Sequence, residues 1–247
     1  MVVLQVRDGH CTRRMRSSTT LPVRALCFDL DDTFWEVGPV IARAEATMRA
    51  FLEREYPVLA GAFTAEDLWA ERQALARAHP DKAHHMSWLR SEALRRIAVR
   101  HGHASEVAEA AFAVFIEARS TVELFADVTS ALERLARTHR LGTLSNGNAD
   151  VHRIGLGGHF TAVLNAEITG IAKPHPEAFE TAARALGVAT SEMLYVGDDP
   201  RIDMEGARAA GCRTAWMNRR GLSWTAMSAP PDLDLRSLDE LVAHLHG

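Results

Sequence analysis

Five short apolar runs recur along the chain, and four of them break into a polar cluster followed by a helical pattern. VRALCF at residues 23–28 runs into DLDDT, RLGTL at 140–144 into SNGN, MLYV at 193–196 into GDDPRID, and RTAWM at 213–217 into NRRG; TAVLNA at 161–166 is the fifth. Between and after them, residues 127–138, 177–186 and 204–210 carry apolar positions at helical spacing. Strands alternating with helices predict βα units around a parallel sheet. Strands covered on both faces read as nearly continuous apolar runs, as these do. The polar clusters then fall at the carboxyl ends of the strands, where open α/β sheets bind ligands.

Residues 35–125 interrupt this rhythm. They contain no convincing strand, are rich in Ala, Glu, Arg and Leu, and show helical periodicity at 40–55, 65–78, 87–100 and 105–120, punctuated by Tyr56-Pro57, His79-Pro80 and Gly102. A four-helix insertion directly after the first strand reads as a lid over the site at the sheet edge; the alternative is a wider helical layer of the same domain. The expected division is a core of residues 21–34 and 126–247, a helical cap of 35–125, and a loose, disordered tail of 1–20.

Composition narrows the function classes. In 247 residues, 47% hydrophobic and 24% charged positions fit a globular protein and exclude a fibrous or disordered one. A formal charge of −4 argues against a surface built to neutralise nucleic-acid phosphates. No apolar run approaches the roughly 18 to 20 residues that span a bilayer. Cys11, Cys27 and Cys212 form neither a disulfide framework nor a zinc site, which fits a reducing cytoplasm. A monomer or homodimer acting on a small molecule is expected.

The polar clusters carry the chemistry. In FDLDDT, Asp29, Asp31 and Asp32 leave the end of a buried strand together, and like charges that close ask for a cation. A calcium loop is excluded because its required sixth-position glycine falls on Phe34. Asp198, Asp199 and Asp203 leave another strand, so the two groups can share one ion. Hard oxygen ligands with room for water suit Mg2+. Ser145 and Lys173, reaching the same edge, complete an anion clamp fit to hold a phosphoryl group.

Taken in order, FDLDDT, LSN, the lysine of AKPHP and GDDPRID resemble the four motifs of the haloacid dehalogenase superfamily of aspartate-nucleophile hydrolases. The likeness covers nearly everything from residue 23 to the C-terminus, through the insertion in position and pattern more than in residues. It implies an α/β fold, a Rossmann-like parallel sheet core with an inserted all-helical cap of the superfamily's first subclass. It further implies Asp29 as nucleophile, Asp31 as general acid and base, and Thr33 as the residue orienting Asp31. Mg2+ would be held by Asp29, the Asp31 carbonyl, Asp198 and Asp203. Ser145 would bind phosphate oxygens with the backbone amides around Asn146 and Gly147, while Lys173 neutralises Asp29 and the phosphate.

Asp31 separates branches of that superfamily, because a halide leaving group needs no proton and the dehalogenase pattern has a non-acidic residue there. A phosphate monoester is the consistent substrate; a sugar phosphomutase is the alternative, and a 2-haloacid dehalogenase the more distant one. LSNGNADVHRIGLGGHF, GDDPRIDMEGARAAG and the WLR element are similar to a bacterial branch that includes flavin mononucleotide phosphatases and nucleotidases. Two residues fit a planar ligand. Trp35, two positions after Thr33, either stacks on such a ring or packs the cap against the core. Arg90, on the inward stripe of its helix, either meets the ligand's polar edge or forms a buried ion pair.

Overall fold

Ala25, Leu26, Cys27 and Phe28 have no exposed surface, and this four-residue strand, β1 (Ala25–Phe28), is the middle of the sheet. The computed structural model describes residues 22–225 and 229–246, so the expected tail of residues 1–20 lies outside the described residues. The other strands are β2 (Arg140–Ser145), β3 (Ala162–Asn165), β4 (Met193–Gly197), β5 (Arg213–Met217) and β6 (Leu233–Leu235). All pair in parallel, in the order β3-β2-β1-β4-β5-β6. The protein is therefore an α/β fold with a Rossmann-like sheet and an inserted all-helical segment.

The insert contains α1 (Val37–Glu55), α2 (Pro57–Gly61), α3 (Ala65–Ala78), α4 (Met86–Arg100) and α5 (Glu106–Arg119). Around the sheet lie α6 (Val128–Leu135), α7 (Ala166–Thr169), α8 (Pro176–Ala185), α9 (Gly206–Ala209) and α10 (Leu238–His246). Alternation along β1 divides the core between two faces. Leu26 and Phe28 pack with Leu132 of α6 and Leu241 of α10, whereas Ala25 and Cys27 face Phe179 of α8 and Ala207 of α9. A third apolar cluster, including Leu52, Leu75, Ile97 and Phe115, lies within the insert. Burying a side chain of this size contributes about 1.5–3 kcal/mol.

Local signals set several helix boundaries. α3 starts where the pattern predicts it, because Thr64 and Asp67 form a reciprocal capping box. α1 starts at Val37, before the predicted residue 40: Pro39 is tolerated in a first turn, and Asp32 Oδ1 accepts a hydrogen bond from the Val37 N–H at 3.0 Å. α2, α7, β6 and α10 go beyond the predicted elements; α2, α7 and β6 are too short to show a period, whereas Leu238, Leu241, Val242 and Leu245 of α10 do carry helical spacing.

The insert joins the sheet through two chain segments that run side by side. Trp35 pairs with Leu124, and the Phe125 N–H donates to the Phe34 carbonyl at 2.9 Å. Arg219 ties this neck to the core: its Nε donates to the Thr33 carbonyl, its Nη1 pairs with Asp127 at 3.1 Å, and its guanidinium lies 4.0 Å from the Phe125 ring centre. Among the described residues no helix is long and apolar enough to cross a membrane.

Candidate active site

In this strand order the chain leaves β1 for β2 on one side, while β4 lies on the other. The crevice outside the carboxyl ends of β1 and β4 is thus the topological switch point, the usual ligand position in such sheets. Asp29 follows β1 with its N–H donated to the Val196 carbonyl at 2.8 Å, and Asp198 follows β4. After Asp29 the chain turns sharply, with Thr33 and Phe34 both donating backbone N–H groups to the Leu30 carbonyl. Asp32 takes the left-handed conformation, φ 58°, that an aspartate adopts more readily than most side chains.

Lys173 is the hub of the crevice. Its Nζ donates to Asp29 Oδ1 and Asp203 Oδ1, both at 2.7 Å, and to the Tyr195 hydroxyl at 2.8 Å. That uses all three ammonium donors. Burial disfavours the charged amine, but the Asp203 and Asp29 carboxylates outweigh it and hold the Lys173 pKa above the ordinary lysine range. Asp203 lies on a wide helical turn, Pro200–Glu205, against Gly197, where a Cβ would come within 2.4 Å of its Oδ2. Its Oδ2 also accepts the Asp199 N–H at 3.0 Å. Asp199 itself turns away and accepts from the Arg201 and Ile202 amides, so it caps this turn instead of joining the acidic group.

Asp29, Asp198 and Asp203 each offer an oxygen, and these oxygens lie within 4.8 Å of one another. Burial first, then the neighbouring Asp29 and Asp203, push the Asp198 pKa up to about 8; burial likewise raises that of Asp29 despite Lys173. A hard divalent cation fits this donor set because its charge offsets both the burial and the mutual repulsion of the carboxylates. The raised values make the native state bind protons that the unfolded chain releases. Stability is then undiminished below the ordinary value of 3.8 and falls as pH rises toward about 8. Added Mg2+ is accordingly expected to raise Tm by several degrees more near pH 8.5 than near pH 5.5, as thermal unfolding at the two pH values will show. An equal shift at both would remove Asp198 from the cation site.

Asp31 faces a different set of partners. The Trp35 Nε1–H donates to its Oδ1 at 2.9 Å, and Arg119 Nη2 lies 2.6 Å from both its oxygens. Ser145 ends β2, and its Oγ accepts the Gly147 N–H at 3.0 Å, which leaves the hydroxyl proton free to donate. The Asn146 side chain makes two hydrogen bonds of 2.8 Å with the backbone of Lys173, 27 residues away, fixing the lysine's origin. Beside this group a cleft of about 550 Å³ opens between the insert and the core, lined by His84 and Met86 on one side and Asn146, Ile171 and His175 on the other.

The structure corrects one expected role, that of Thr33, and chooses between the two readings of Trp35 and of Arg90. Thr33 does not orient Asp31: its Oγ1 is buried without a hydrogen-bond partner, because the turn brings Trp35, four residues after Asp31, alongside that residue. Trp35 has no exposed surface and cannot stack on a ligand; it packs edge-on against Phe34 at the neck. Arg90 does lie on the apolar stripe of α4, but its guanidinium is turned to α1 and α5. Its Nη1 donates to Glu45 at 3.1 Å and its guanidinium lies 3.8 Å from the Phe115 ring centre, the buried ion pair of the two readings.

The arginine that reaches the crevice is Arg119, which the sequence reading missed. Its signal was present: Val107, Ala111, Phe115 and Arg119 follow at steps of four residues, so the arginine ends the buried stripe of α5.

Residues 23–211 match the haloacid dehalogenase-like hydrolases. The chain belongs to this family. Among these hydrolases it is 35% identical over 199 residues to the 5-amino-6-(5-phospho-D-ribitylamino)uracil phosphatase YigB of Escherichia coli, covering 79% of this chain and 83% of that protein. It is 31% identical to the phosphoserine phosphatase of Thermus thermophilus over 89% of this chain and 98% of that one. The crystal structure of a 2-haloacid dehalogenase from Pseudomonas syringae pv. Tomato superposes with a TM-score of 0.86 at 38% identity, covering 91% of this chain and 100% of that one. As a haloacid dehalogenase-like hydrolase, the protein is an enzyme.

Proposed function

We propose that this hydrolase is a Mg2+-dependent phosphatase of small phosphorylated metabolites. The observation that carries the reading is the pairing, in one crevice, of a carboxylate trio within 4.8 Å with a separate carboxylate, Asp31, held by Trp35 and Arg119. In this reading the Asp29 oxygen not bonded to Lys173 attacks phosphorus, forming an aspartyl phosphate and splitting one displacement into two. Asp31 protonates the departing alcohol and then takes a proton from the water that hydrolyses the intermediate. Asp29, Asp198, Asp203 and the Asp31 carbonyl would hold the cation, whose positive charge lets an anionic carboxylate approach an anionic phosphate. The Ser145 hydroxyl donates to a phosphoryl oxygen, and Lys173 keeps Asp29 aimed. The insert acts as the cap, with residues 34–36 and 120–125 as its neck.

The relatives named as phosphatases support an ester substrate, and the phosphoribityl group in the first of those names is the same kind of chain that flavin mononucleotide carries. With Trp35 buried, however, the stacking argument for a flavin ring is gone, and flavin mononucleotide stays a substrate to test on its phosphate chain alone. Cys27 and Cys212 are free and buried, and a cytoplasmic enzyme is the reading that their unpaired state supports.

One observation favours a second reading: the 38% identical structure is that of a 2-haloacid dehalogenase. The two reactions separate cleanly. Purified enzyme is expected to release inorganic phosphate from flavin mononucleotide or sugar phosphates, to lose that activity in EDTA, to regain it with Mg2+, and to release no chloride from 2-chloropropionate. Chloride release unaffected by EDTA, without phosphate release, would establish the dehalogenase instead.

A further inference from the structure

Arg119 is 1% exposed, yet only its Nη2 has a partner; Nε and Nη1 are buried with no hydrogen bond. Leaving buried donors unpaired is costly, so two on one side chain call for a partner. One end of this guanidinium, the Nη2 that Asp31 holds, lies at the crevice. A Cβ at Gly147 would stand 2.8 Å from Asp31 Oδ2, 3.4 Å from Ser145 Oγ and 3.5 Å from Arg119 Nη2. Gly147 thus sits where a carboxylate, a hydroxyl and a guanidinium converge too closely to admit a side chain.

Resting on the phosphatase reading, the placement of these groups divides the substrate. Lys173 lies on the Asp29 side, with the carboxylate trio that takes the cation, and Ser145 supplies the remaining contact to phosphoryl oxygens. Arg119 lies against Asp31, the group that must reach the ester oxygen of the leaving alcohol. A guanidinium is a planar fork whose neighbouring N–H groups meet two oxygens side by side. With Nη2 on Asp31, Nη1 and Nε are the donors left over for an oxygen that the leaving group carries beside its ester oxygen.

We propose that Arg119 recognises the leaving group through an oxygen on the carbon next to the esterified one. The preferred substrates are then phosphates of polyhydroxylated chains or hydroxy acids, and not those of plain alcohols. Arg119 also explains why Asp31 sits as it does, since the same guanidinium that reads the substrate holds the acid.

The test compares two esters that differ by those oxygens alone, glycerol 3-phosphate and n-propyl phosphate, in the full-length enzyme with Mg2+. The wild type is expected to favour the glycerol ester in kcat/KM on the order of 100-fold, the range of hydrogen bonds to a charged group. Arg119→Ala should bring the two esters within about threefold of each other. Arg119→Lys, which keeps the charge and loses the fork, should retain roughly a tenfold preference. The ratio does not respond to general damage to the site, which lowers both esters together. An active wild type without the preference, or a ratio unchanged in Arg119→Ala or Arg119→Lys, overturns the assignment of Arg119 alone. Release of phosphate from no ester at all overturns the phosphatase reading and this inference with it.

Discussion

Asp29→Asn is expected to abolish turnover while leaving the protein at least as stable as before. The amide keeps the shape of the carboxylate and can still accept from Lys173 through its oxygen, but it has no charge with which to attack. Loss of a nucleophile typically lowers kcat by about four orders of magnitude or more. The stability half of the result follows from the surroundings. Asp29 is buried beside Asp203, Asp31 and Lys173, and its pKa is raised because burial and the like charges exceed the help from the lysine. Removing that charge relieves repulsion on Asp198 as well. In metal-free buffer near pH 8 the variant should therefore melt no lower than the wild type. Phosphate-release kinetics and thermal unfolding check the two halves separately, and a variant that retains a tenth of wild-type turnover would end the covalent mechanism.

Lys173→Met should do the opposite to stability. The thioether chain fills a similar volume and supplies none of the three donors, so Asp29 and Asp203 lose their cation inside the protein. Breaking a buried pair from one side costs about 3–5 kcal/mol, which for a chain of this size lowers Tm by on the order of 10 °C. The sign with pH is fixed by the stranded group. Protonating the carboxylates removes the unpaired charge, so the deficit should shrink as pH falls toward 5 and be largest above pH 8. Asp203→Asn in the same chain should recover part of the loss, because it removes one of the two stranded charges. Activity is expected to disappear in both chains, since Lys173 aims Asp29. A Lys173→Met protein that melts within a degree or two of wild type at pH 8 would show that the three short contacts of Lys173 contribute little.

The parts of the site that were legible in the sequence are those that depend on a neighbour in the chain. Asp29 and Asp31 follow a run of four buried residues, and Asp198 follows another, so strand pattern alone sends them to one edge. Ser145 and Lys173 were likewise found at strand or loop ends. What the sequence hid were pairings across long separations. Asn146 holds the backbone of Lys173, and Arg119 reaches Asp31 across 88 residues. Neither contact has a spacing to recognise, although the i, i+4 stripe on α5 marks Arg119 as buried.

Trp35 and Arg90 show the limit of reasoning from position. Both were placed correctly, one just past the acidic cluster and one on an inward stripe, and each admitted a structural as well as a ligand-facing reading. The choice depends on what packs against the side chain, and that is set by a second segment: Leu124 beside Trp35, Phe115 and Glu45 beside Arg90.

By itself, the sequence determined the alternation of strands and helices, the site of the insertion and the gathering of acids at the strand ends. These follow from periodicity and from the one-dimensional order of charges, which every fold of the chain must respect. The tertiary structure decided which arginine enters the crevice, what holds Asp31 and how Lys173 is fixed. Those are properties of distances between segments, and distances exist only once the sheet has closed β1 between β2 and β4 and the neck has laid the insert over its edge.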